Sequence, residues 1–112
     1  LGDVYKRQPE IMKITTHAVH FHPHQPLVRF IEEHLHKLET FQSSLLKGEV
    51  FLRVNNQSVN NKTVEIRLAM PGHELFASHE ASTFEAATIR TLAALKSQLK
   101  KFKTRLSRDR RH

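Results

Sequence analysis

The sequence predicts an α+β domain in the order β-α-β-β-β-α, a four-stranded sheet with two helices packed on one face. Three observations predict it. Apolar and polar residues alternate in several short runs, two longer segments repeat apolar residues every three or four positions, and Pro, Gly and Asn gather between them. The first run starts at Met12, where Met12, Ile14, Thr16 and Ala18 alternate with Lys13, Thr15 and His17, a strand with one buried face. Pro23 and Pro26 punctuate the chain, and Pro26 suits a first helical turn, where a missing amide hydrogen costs nothing. Leu27, Phe30, Ile31, Leu35 and Leu38 then form one apolar stripe on a helix of about four turns, with Arg29, Glu32, Glu33, His36 and Lys37 outside it.

Gly48 closes the following loop, and Val50, Leu52 and Val54 alternate with Glu49, Phe51, Arg53 and Asn55 in a second strand. The polar run NNQSVNNK at 55–62 turns the chain into a third strand carrying Val64, Ile66, Leu68 and Met70. Pro71 and Gly72 make a tight turn into a fourth strand around 74–78. Ser82 or Thr83 caps the last helix, and Glu85 lies in its first turn, where a carboxylate complements the exposed amides. Phe84, Thr88, Thr91, Leu92, Leu95, Leu99, Phe102 and Leu106 share one sector of that helix at about 100° per residue. The first crossover is expected to be right-handed and the last three strands antiparallel. Helices on one face would bury Val50, Leu52, Val54, Val64, Ile66 and Leu68 and turn Phe51, Arg53, Glu65 and Arg67 outward.

A chain of 112 residues has room for one core. Residues 1–11 show no period and precede a methionine able to serve as a start, so they read as a non-native or disordered extension. Residues 12–106 form the expected domain, and 107–112 a basic tail expected to fray. The absence of cysteine excludes disulfides, thiolate metal sites and a cysteine nucleophile, and points to a reducing compartment, the cytoplasm. No apolar run approaches the about 20 residues of a membrane span.

The net charge of +7 is unevenly placed: residues 86–112 hold nine basic groups and one acidic, residues 1–85 nine basic and ten acidic. Positive charge concentrated on one helix is the footprint of a polyanion partner, because each neutralised phosphate releases counterions.

The segments MKITTHAVHF at 12–21, LVRFIEEHLHKLETF at 27–41, GEVFLRV at 48–54, VEIRLAMPGHELFA at 64–77 and TFEAATIRTLAALKSQLKKFK at 83–103 resemble the ribosome hibernation promoting factor family, also called ribosome-associated inhibitors or sigma-54 modulation proteins. That resemblance implies a fold similar to a double-stranded RNA-binding domain. It also implies a binding site in the messenger and transfer RNA channel of the small ribosomal subunit, with basic helix residues against ribosomal RNA. By position, the rRNA-binding residues would be Lys100, Lys101 and Lys103, with Lys96 one turn earlier, Lys37 on the first helix, and Arg90 outside the recognisable run. His34 and His36 stand where relatives often carry lysine or arginine, so the first helix is less basic than the family pattern. Long family members add a domain that pairs ribosomes. With about nine residues after Lys103, this short form is not expected to pair ribosomes unaided, and a separate ribosome-dimerising factor is a further expected partner.

Other chemistry is weaker. Nine histidines, including His20, His22 and His24, invite a metal reading, but nothing in the spacing converges three or four ligands, so no metal or cofactor is expected. The three glycines form no phosphate loop and no nucleophile motif is present, so no enzyme is expected. A general double-stranded RNA-binding translation regulator acting off the ribosome is the alternative, and a histidine-rich metal-binding protein a lesser one. Phe51 and Phe76, if they share the open sheet face, could stack bases, although cross-strand packing is the simpler role.

Overall fold

A computed structural model of the chain describes residues 12–42, 44–56 and 59–110, with side chains described through residue 105. Residues 1–11, the end of the basic tail at 111–112 and the side chain of Leu106 lie outside the described residues. The order is β1 (Lys13–Ala18), α1 (Gln25–His36), α2 (Leu38–Phe41), β2 (Lys47–Val54), β3 (Lys62–Met70), β4 (His73–Ala81) and α3 (Phe84–Arg110). One four-stranded sheet runs β1-β2-β3-β4. β1 is parallel to β2, and the β2–β3 and β3–β4 pairs are antiparallel. The α+β architecture read from the sequence is the one observed.

One apolar layer joins the helices to the sheet. Val50, Leu52, Val64, Ile66 and Leu68 pack with Leu27, Ile31 and Leu35 of α1 and Leu92, Leu95 and Leu99 of α3, all buried. Thr91 ties α3 to the sheet, its hydroxyl donating to the Val64 carbonyl at 3.1 Å and to Ala87 at 2.8 Å. Thr83 is the cap: its hydroxyl accepts the Ala86 amide at 3.1 Å, satisfying one of the first-turn donors. Pro26 occupies the first turn of α1, and Gly72 takes a φ of +68° in the turn after Pro71, a conformation that favours glycine.

The structure differs from expectation in four places. The first helix does not run unbroken to Leu38 but is interrupted at Lys37. The Lys37 carbonyl there accepts the Thr40 hydroxyl at 2.7 Å and the Thr40 amide at 3.3 Å, a tighter three-residue turn that leads into the short α2. Gly48 lies inside β2 rather than closing a loop, because the strand begins at Lys47 and passes beneath α1. An added Cβ there would sit 3.2 Å from Leu35 and 3.3 Å from Met12. Val54, expected in the core, is exposed at the strand end. The last helix continues to Arg110 instead of giving way near Ser107, since no Gly or Pro interrupts residues 84–110.

Candidate nucleic-acid interface

The basic residues of α3 divide into two stripes that flank its buried face. Lys96, Lys100 and Lys103 fall within about 60° of one another at 3.6 residues per turn, and Arg90, Lys101 and Arg105 fall in a second sector on the far side of the core residues. The first stripe faces α1 and α2. Lys103 donates its ammonium to the Phe41 carbonyl at 2.8 Å and lies 4.5 Å from the Phe41 ring centroid. Lys96 reaches to 5.9 Å of the same ring, so both cations are steadied by the negative face of one aromatic.

Between these elements lies a groove of about 370 Å³ lined by His34, Lys37, Leu38, Thr40, Phe41, Ile89, Leu92, Ala93 and Lys96. Its floor is apolar and its rim cationic, and no carboxylate is among the described lining residues. His34 is held at its edge, its ring nitrogen donating to the Phe30 carbonyl at 2.9 Å and its ring packed on Phe30. Of the residues selected by family position, Lys37 and Lys96 line this groove, Lys103 adjoins it through Phe41, and Lys100 shares their stripe.

Arg90 and Lys101 are not in that group. Arg90 donates to the Glu80 carbonyl at 2.9 Å at the end of β4. Lys101 lines a smaller recess of about 190 Å³ against β4 with His73, Phe102 and Arg105. The sequence reading thus spread its candidates over both flanks, and it missed the groove floor. Ile89 carries the signal that could have found it: seven residues before Lys96, it is a lone large apolar side chain on the cationic stripe, and it is 46% exposed.

The opposite face of the sheet is a packed aromatic and guanidinium layer. Phe51 stacks on His17 with ring centroids 4.9 Å apart, and Arg67 lies 5.3 Å from the Phe51 ring and 5.8 Å from that of Phe76. Glu65 accepts from Arg53 and Arg67, each at 3.0 Å. Burial pushes its carboxyl upward, but the hydrogen bonds and charges of the two arginines outweigh that and hold it below the ordinary carboxylate range. Phe51 and Phe76 do share this face, and Phe51 is engaged across the strands. Among the described residues no group of three or more metal-ligating side chains converges, and no described helix is long and apolar enough to cross a membrane.

Comparison with known proteins gives consistent matches. The family model described as sigma 54 modulation protein / S30EA ribosomal protein matches residues 14–107. A ribosome hibernation promotion factor of Deinococcus radiodurans is 30% identical over 88 residues, covering 77% of this chain and 46% of that protein. The chain therefore spans about half the length of the curated relative. A ribosomal subunit interface protein from Coxiella burnetii superposes with a TM-score of 0.76 at 19% identity, over 83% of this chain and 99% of the other. The N-terminal domain of protein Y from Thermus thermophilus gives 0.71 at 23% identity, over 81% and 99%. Both structures share the fold.

Proposed function

The chain belongs to the sigma 54 modulation protein / S30EA ribosomal protein family, and from that premise we propose that it is a ribosome hibernation factor that acts in the cytoplasm by occlusion. It binds the small ribosomal subunit in the decoding channel, neutralises phosphates of ribosomal RNA, and leaves no room for messenger or transfer RNA. No bond is made or broken. The observation that best supports this is the cationic stripe of Lys96, Lys100 and Lys103, of which Lys96 lies across from Lys37 in a groove free of described carboxylates. Arg90 and Lys101 add charge from the other flank and are secondary contacts.

The test is co-sedimentation with purified small subunits across a salt series. Four neutralised phosphates predict a slope of log K against log salt of about −3 to −4. Reversing Lys96, Lys100 and Lys103 together to glutamate should abolish binding with the far-ultraviolet spectrum unchanged, whereas reversing Arg90 and Lys101 should weaken it less. Undiminished binding by the first variant removes that stripe from the interface. A large excess of naked duplex RNA should not compete; if it does, the alternative of a general double-stranded RNA regulator acting off the ribosome takes precedence.

A further inference from the structure

Phosphate contacts alone do not account for the groove between α1–α2 and α3. A surface that only neutralises a backbone needs cations, and the cations here surround a depression whose floor is Leu38, Phe41, Ile89 and Leu92. Ile89 is left 46% exposed, although its helix has a well-filled buried face into which the neighbouring turns are packed. A large aliphatic side chain left half in water beside lysines suits a ligand with an apolar face and a negative charge on one molecule. The groove volume of about 370 Å³ admits a single planar ring with its sugar. It is far too small for a helical duplex, whose major groove alone is about 12 Å wide.

We infer that this groove is a seat for one unpaired nucleotide of the RNA partner, its base laid on the Leu38–Ile89–Leu92 floor against Phe41 and its flanking phosphates held by Lys37, Lys96 and Lys103. The inference rests on the RNA-binding reading above and deepens it. Lys103 is already positioned by the Phe41 carbonyl and ring, so little side-chain freedom is lost when a phosphate arrives. The aromatic and aliphatic floor accepts any base, because every base has a π-face, so the seat selects an unstacked nucleotide rather than a sequence. An acidic peptide would satisfy the lysines but leave the floor uncovered.

The discriminating variant is Ile89→Lys, which adds a positive charge while removing apolar floor, at a half-exposed position that does not serve the core. Fluorescence anisotropy would follow a labelled single-stranded RNA hexamer, the same hexamer with one abasic position, and poly-glutamate as competitor; co-sedimentation with small subunits would run in parallel. Wild type should bind the intact hexamer about tenfold more tightly than the abasic one, and Ile89→Lys should lose about tenfold in spite of its added charge, a difference of about 1.4 kcal/mol. Equal or tighter hexamer binding by Ile89→Lys overturns the inference, as does indifference to the abasic position or displacement by poly-glutamate at equivalent charge. Base-dependent hexamer binding by a protein that ignores small subunits would retain the seat and discard the hibernation reading. Subunit binding that Ile89→Lys leaves intact would do the reverse.

Discussion

Glu65 belongs by alternation to the outward face of β3, yet it is only 7% exposed. It is covered by its own partners, the Arg53 and Arg67 side chains that fold over it and onto the Phe51 ring. Its carboxyl is held below the ordinary range in the folded protein and returns to it on unfolding. The stability it contributes is therefore present above the unfolded value and is lost as the pH falls through the folded one. Urea midpoints measured down a pH series should fall at acid pH in the wild type. The Glu65→Gln variant should start about 1–2 kcal/mol less stable at neutral pH, having lost charge-assisted hydrogen bonds, and should show a flatter acid limb. Parallel acid limbs for the two proteins would remove Glu65 from that role.

At the scale of elements, Gly48 shows how closely a strand and a helix can be stacked. The β2 backbone there lies under Leu35 of α1, with Met12 and Leu68 on either side. Gly48→Ala meets only the ends of flexible side chains at 3.2–3.4 Å and should change stability by less than about 1 kcal/mol, since the clash is offset by a less flexible unfolded chain. Gly48→Val adds two methyl groups that cannot be so accommodated and should cost about 1–3 kcal/mol in thermal or urea unfolding. Hydrophobic periodicity marked every main strand and both long helices, because binary patterning reports which face is buried. It could not mark Gly48, whose importance comes from a close approach between segments distant in sequence. Nor could it foresee the interruption at Lys37, where the chain makes a tighter turn closed by Thr40, or the exposure of Val54 at the end of its strand. The candidate site was legible to the same depth: the basic positions can be counted along α3, but their division into two flanks depends on where α1 and α2 pack. Phe41 joined the site only through that packing, which also set Ile89 beside it.

For the molecule as a whole, the sheet combines two kinds of connection. β2, β3 and β4 follow one another by short reversals and feed directly into α3, whereas β1 reaches its parallel neighbour only after the chain has made the whole of α1 and α2. Closing that larger loop costs more chain entropy than closing either hairpin. β1 is also an edge strand, held on one side by β2, with the Met12 amide fastened to the Glu39 carboxylate at its beginning. Hydrogen exchange under native conditions should therefore release the amides of β1 before those of β3, which has partners on both sides; simultaneous release would show a single cooperative unit. Should that order of exchange hold, the hairpins and final helix, which carry most of the cationic surface, would keep their shape while the parallel strand opens and recloses.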